Sequence, residues 1–246
     1  MDSTNNTILL GEYGSRAYGT NTVDSDRDLV EVVVEPRKYI TGLFDWDTKM
    51  QSTAEIGARS TAVDTDKTVY GLKKFADLAV AGNPSVLAIL FLGEYEVLTD
   101  LGSVLVDNRS SFVSKSAGRR FLGYMTSQRD AMTGARNKRT NRPELVHKFG
   151  YDTKFAYHMI RLGLLGKELM ETGSIQLPMN KDFVGICMDI RAGKMSKDEV
   201  LAESYALEAS LEKAIDKSDL PDRGDRETVS SLLDIIYGSA WSRTDD

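Results

Sequence analysis

Cysteine, histidine and proline are scarce in this sequence: one, two and five among 246 residues. A single thiol excludes an internal disulfide, and one cysteine with two histidines leaves too few soft ligands for a zinc site. Cys187 lies in the apolar stretch FVGICMDI, where a thiol behaves as a small buried hydrophobe. A reducing cytoplasm is the expectation. No apolar run approaches the roughly 18 residues that a membrane span needs. The opening Met-Asp-Ser-Thr-Asn-Asn has neither a basic nor an apolar stretch, so no signal peptide is expected.

What is present is ordinary in bulk and uneven in detail. Hydrophobic residues make up 41% and charged residues 28%, enough for a real core, and the length fits one large domain or two modest ones. The net charge is −6, which excludes a protein that coats nucleic acid. Yet Lys115 to Lys154 holds ten Lys or Arg against three Asp or Glu, a local balance of +7, so the remainder carries −13. Such a segment suits phosphates; a solvated helix face is the alternative.

Apolar alternation and turn residues predict strands at TILLGE (7–12), RDLVEVVVEP and DKTVYGL. The third runs into a helix, GLKKFADLAVA, ended by Gly82; Asn83 then caps and Pro84 opens the next helix. Residues 41–62 read as loop, with or without a short helix, and residues 134–146, interrupted by Pro143, as loop. From about Ser116 the spacing turns helical. One helix should stop at Gly173, another starts with the capping box Ser196/Glu199, and a last one covers DRETVSSLLDIIYGSAW. The expected fold is α/β (α+β), a small mixed sheet flanked by helices with an all-helical C-terminal domain.

The unusual stretch is GEYGSRAYGTNTVDSDRDLVEVVV, residues 11–34. Asp26 and Asp28 sit two apart at the mouth of a strand, so both project from one face. Carboxylates held that close repel each other and call for a cation between them. Mg²⁺ prefers oxygen ligands, and a pair of ions about 4 Å apart clamps the attacking and leaving oxygens of phosphoryl transfer. Asp66, at the head of DKTVY, is the choice for a third acid; Asp64 shares its face and stays open. Gly14 and Ser15 allow backbone amides close to a phosphate and can open a helix whose N-terminus favours anions, with Arg16 adding charge. An EF-hand loop over Asp24, Asp26, Asp28 and Glu35 is disfavoured, because Leu29 stands where the loop needs glycine.

Gly-Ser, a spacer of ten, then Asp-x-Asp on a strand resembles the signature of the DNA polymerase β-like nucleotidyltransferase superfamily. GSRAYGTNTVDSDRD is similar to a bacterial and phage branch of it, and the likeness continues in VYGLKKF, GNPSVLAILF, HKFGYDTKFAYHMIRLG and SDLPDR, over most of the chain. The resemblance implies a catalytic domain at 1–115 and a helical substrate- or nucleotide-binding domain at 116–246. It implies that the Gly-Ser turn holds a nucleoside triphosphate while Asp26, Asp28 and Asp66 act in catalysis and hold Mg²⁺, two ions in all. Arg27, between the two acids where the superfamily commonly has an aliphatic residue, should point away from the metals.

In YDTKFAYHMIR the spacing puts Tyr151, Lys154, His158 and Arg161 on one helix face, which the resemblance turns toward the cleft; a solvated face is the alternative. Lys148 and Arg142 would extend this nucleotide-binding patch. Tyr18 would stack on a base or pack between strand and helix. The expected reaction moves a nucleoside monophosphate from a triphosphate to an acceptor hydroxyl, with pyrophosphate leaving. It requires no covalent enzyme intermediate, in keeping with the lack of a Ser-His-Asp or Cys-His constellation. An RNA end such as that of tRNA is the favoured acceptor. A small molecule, a protein, or a non-catalytic antitoxin-like or nucleotide-binding module on the same fold are the alternatives.

Overall fold

The computed structural model describes residues 6–55, 60–135 and 142–242. Strands β1 (Thr7–Tyr13), β2 (Arg27–Val33), β3 (Lys49–Ser52), β4 (Thr65–Gly71) and β5 (Val97–Leu98) form one mixed sheet in the order β3-β4-β2-β1-β5. Central β2 is parallel to β4 and antiparallel to β1. Its residues Leu29–Val33 are all buried, which explains why the run, apart from Glu31, is apolar on both faces rather than alternating. Edge strand β3 was not expected: residues 41–62 read as loop because the stretch is polar and irregular, and Lys49–Ser52 are all exposed. Backbone pairing with β4, from Lys49↔Val69 to Ser52↔Asp66, makes it a strand.

Helix α1 (Gly14–Ala17) is a single turn between β1 and the acidic loop. Helices α2 (Leu72–Val80) and α3 (Pro84–Ile89) follow β4, and Asn83 caps α3 by accepting from the N–H groups of Ser85 and Val86. Helix α4 (Asp100–Asp107) leads to α5 (Lys115–Thr133). Helix α6 (Pro143–Phe149) replaces part of the loop expected over 134–146. Pro143 opens it rather than breaking it, because a first helical residue needs no N–H partner; residues 136–141 lie outside the described residues.

Helix α7 (Thr153–Thr172) is the hub of the helical half, packed on α5, on α8 (Lys181–Arg191) and on α9 (Lys197–Lys217). Glycines inside a helix each cost about 1 kcal/mol, and α7 contains two that its neighbours use. A Cβ on Gly163 would meet Leu207 of α9 at 2.5 Å, and one on Gly166 would meet Phe121 of α5 at 2.7 Å. The capping box at Ser196 and Glu199 and the stop at Gly173 are both present. Cys187 is fully buried, and burial pushes its thiol up to about 12.

The last helix, α10 (Arg226–Ser242), packs back against α2 and α4. Buried Glu35, just past β2, fastens it there. Its carboxylate accepts from the N–H groups of Leu72 and Lys73 at the start of α2 and from Tyr237 Oη at 2.6 Å, while Trp241 Nε1 donates to its carbonyl at 3.0 Å. Tyr237→Phe should therefore cost about 1–3 kcal/mol, since it leaves a buried carboxylate short of a donor. Urea unfolding would read this as a lower midpoint with an unchanged slope.

Candidate active site

Strand register brings the acids together. Asp28 on β2 lies opposite Asp66 on β4 and opposite Tyr13 on β1, and Asp26 stands just before β2. Each of Asp26, Asp28 and Asp66 offers a carboxylate oxygen, and the three oxygens all lie within 4.8 Å of one another. Burial, then the charges of Asp26 and Asp66, pushes the Asp28 carboxyl up from 3.8 to about 6. Ser60 Oγ donates to Asp66 Oδ2 at 2.7 Å, while Asp66 Oδ1 is buried with no hydrogen-bond partner. An oxygen-only set with mutual repulsion and an unpartnered buried acceptor fits hard divalent cations.

Asp64 does not join this cluster. It accepts from Thr61 N at 2.8 Å, Thr61 Oγ1 at 2.7 Å and Thr53 Oγ1 at 3.1 Å, and these bonds hold its carboxyl below the ordinary value. Arg27 points away, toward Glu12 and Glu96.

Gly14 has φ +70, and its Cα packs directly on Asp28: an added Cβ would lie 1.9 Å from Asp28 Oδ2. Glycine here makes room for the carboxylate, a second reason beyond access of amides to a phosphate. One turn of α1 carries little macrodipole, so what Gly14 and Ser15 offer an anion is backbone N–H groups and the Ser15 hydroxyl.

Gly14, Ser15, Tyr18, Asp26 and Asp28 line one side of a cleft of about 660 Å³. Lys154, Tyr157, His158 and Arg161 of α7, with Arg191 of α8 and Tyr124 and Gln128 of α5, line the other. Arg161 is buried, stacks on the Tyr18 ring at 3.9 Å, and its Nε makes no hydrogen bond. The groups facing it are the phenols of Tyr18, Tyr157 and Tyr13. Tyr18 is itself buried, with Arg161 over its ring, the packing alternative for that residue. Burial, then Arg161 and Lys154, pushes His158 down to about 2, so it adds a neutral imidazole to this wall beside the cations Lys154, Arg161 and Arg191.

Several residues expected here lie elsewhere. Tyr151 precedes α7, is buried, and donates to the Met195 carbonyl at 2.7 Å. Arg16 braces the acidic loop through the carbonyls of Ser25 and Asp26. Lys148 on α6 does not line the cleft and lies over the Phe149 ring. Arg142 pairs with Asp152, the cap of α7, at 3.0 Å. The basic segment is not one face either: Arg129 is buried against Glu208 at 2.6 Å, and Arg136, Lys138 and Arg139 fall outside the described residues. Two further residues at the site were not expected from the sequence: Arg191, whose guanidinium bonds the Thr20 carbonyl, and Ser60. Neither has a local motif: Arg191 reaches the site from α8, and Ser60 from the loop just before β4.

Comparison with known proteins adds the family. A stretch of 126 residues, 50% of this chain, is 32% identical to a 38.9 kDa protein of the nrdC-mobD intergenic region of Enterobacteria phage T4. That match spans 37% of the phage protein, so the chain covers well under half its length. The crystal structure of a nucleotidyltransferase-like protein from Exiguobacterium sibiricum 255-15 aligns over 86% of this chain and 69% of its own at 10% identity, with a TM-score of 0.30. The assignment rests on the sequence family. Residues 2–234, from the segment before the first strand into the last helix, match one family model along their whole length, and the chain belongs to the RNA repair pathway DNA polymerase beta family.

Proposed function

We propose that the protein is a Mg²⁺-dependent nucleotidyltransferase that moves a nucleoside monophosphate from a nucleoside triphosphate to an RNA 3′ hydroxyl, with pyrophosphate leaving. The observation that carries this is the convergence of Asp26, Asp28 and Asp66 within 4.8 Å beside a cleft whose opposite wall is cationic. Residues 1–115 would carry the catalysis and 116–246 most of the nucleotide contacts.

Asp26 and Asp28 would hold two Mg²⁺ ions with Asp66. Bound there, such ions neutralise phosphate charge and lower the pKa of an attacking hydroxyl. The rest falls to the chain itself. Gly14 and Ser15 receive the phosphate tail on backbone N–H groups and a hydroxyl. Arg161, Lys154 and Arg191 supply positive charge from the other wall, and Tyr18 fixes the plane of the Arg161 guanidinium by stacking. Neutral His158 donates or accepts one hydrogen bond without adding charge. Ser60 holds one oxygen of Asp66 and so fixes the direction of the other.

Arg161→Met keeps the apolar stem and removes the cation. It should weaken triphosphate binding about 10- to 100-fold, the scale of losing a charge-assisted hydrogen bond in a partly desolvated site. Binding of a fluorescent triphosphate in the presence of Mg²⁺ would measure it, and an unchanged affinity would remove Arg161 from the site. Incubation with labelled triphosphates, Mg²⁺ and a pool of RNA, small molecules and protein tests the reaction itself. Binding without transfer would mark a nucleotide sensor or an interaction module.

A further inference from the structure

A second cavity, of about 420 Å³, meets the nucleotide cleft at Tyr13, Asp28, Ser60 and Ser85. Asp26 faces only the cleft, and Asp66 only the second cavity. Register explains its floor. Tyr13, Asp28, Asp66 and Ser52 stand in one row across β1, β2, β4 and β3, and Val30, Thr68 and Met50 form the next row on the same face. Two residues along a strand is about 7 Å, so this floor runs from the acids along the sheet and ends, at its β3 side, on an open edge. Ser85, Val86 and Ile89 of α3 make the facing wall.

The chemistry of the lining limits what can lie there. Asp28 and Asp66 are its acids, and both belong to the metal cluster. A polycationic acceptor would therefore find no counter-charge. The lining cation, Lys67, is held by Glu31 at 2.7 Å, so a phosphate-dense group finds no free positive partner either. What remains is neutral: Ser52, Thr68 and Ser85 for hydrogen bonds, Met50 and Ile89 for apolar contact. Met50 is 85% exposed at the mouth. Beyond it the chain carries Lys49 over the Trp46 ring at 4.9 Å.

We propose that this cavity is the acceptor subsite, and that it takes the 3′-terminal nucleoside of a single polynucleotide strand, whose preceding nucleotides leave across Met50 and the β3 edge. An uncharged sugar and base fit the neutral lining, the terminal hydroxyl lies at the Asp66 end, and the phosphodiesters stay outside in water beside Lys49. The inference rests on the nucleotidyltransferase reading of the acid cluster, and adds to it where and in what form the acceptor binds.

The test uses the full chain, labelled triphosphate, Mg²⁺ and short single-stranded RNA and DNA oligonucleotides as acceptor probes. Met50→Glu places a negative charge at the exposed mouth, where misfolding is not a concern. It should raise the KM for the oligonucleotide about tenfold, as like charge at an interface rim does, with the KM for triphosphate unchanged. Met50→Leu should restore wild-type values. An oligonucleotide ending in a 3′-deoxynucleotide should inhibit competitively against the acceptor without being extended. RNA extended in preference to DNA places the terminal 2′ hydroxyl in the subsite; equal use of both supports the subsite without it. An unchanged acceptor KM in Met50→Glu, or transfer to a small molecule or protein but to no oligonucleotide, overturns this inference and leaves the nucleotidyltransferase intact. No transfer to any acceptor and no pyrophosphate release overturns both.

Discussion

Asn in place of Asp28 is expected to abolish nucleotidyl transfer and at the same time make the metal-free protein more stable. The loss of activity should reach at least about 10³-fold, equivalent to roughly 4 kcal/mol of transition-state stabilisation. The gain in stability follows from the crowding of the acids. Burial and the neighbouring carboxylates push Asp28 up to about 6 from 3.8, so the fold disfavours its charged form. The penalty is absent at low pH, develops as pH rises from about 4 to about 6, and is complete above that. Solvent screening at this partly exposed group limits it to about 1–2 kcal/mol. At pH 8 without divalent ions, Asp28→Asn should therefore melt several degrees higher than wild type, at about 2–4 °C per kcal/mol for a chain of this size. At pH 4 the difference should vanish. Mg²⁺ should raise the melting temperature of wild type and do little for the variant. Thermal melts at the two pH values, with and without Mg²⁺, measure all of this. A variant that melts lower at pH 8, with an undiminished response to Mg²⁺, would mean that the three acids do not share an ion.

Gly14→Ala is the second large effect, and it works through geometry rather than charge. The position has φ +70, and the new methyl would sit 1.9 Å from Asp28 Oδ2 and 2.7 Å from its Cγ. The carboxylate must move off the cluster or the turn must reshape. Either way transfer should fall by about 10²-fold or more, the scale reached when a catalytic group is misplaced by about 1 Å. Stability should also drop by about 1–3 kcal/mol for the strained backbone. Gly150 supplies the control: its φ is +81, yet nothing lies within 4 Å of an added Cβ. Gly150→Ala should show a strain cost without the loss of activity. A wild-type transfer rate in Gly14→Ala, at saturating triphosphate and over a Mg²⁺ titration, would disconnect the turn from Asp28.

The two variants probe features of different legibility. Asp26 and Asp28 could be picked out from the chain because a period of two puts both on one side of a strand. The dependence of Asp28 on Gly14 could not, since it is a contact between the turn that follows β1 and strand β2, and not a spacing. The same division runs through the helices. Asn83, Pro84, Ser196, Glu199 and Gly173 signal helix ends through bonds made within a few residues, and each does what its local chemistry dictates. Strand β3 has no such signal: four exposed residues become a strand only because β4 offers backbone partners. Pro143 misled for the complementary reason, since whether proline breaks a helix or begins one depends on where the previous element stops.

Composition and local spacing alone thus determined that this is an α/β protein without an internal disulfide, with helix ends and two acids at the mouth of a strand in known places. Tertiary structure decided which third acid joins them, turning Asp66 into the cluster and Asp64 into a turn. It also decided which cations face the cleft, keeping Arg161 and Lys154 while Arg16 and Arg142 brace the backbone and a cap. The physical reason is range. Capping and periodicity are fixed by hydrogen bonds and side-chain directions over a few residues, whereas a shared cation site depends on the register between strands that the chain joins only through long connections.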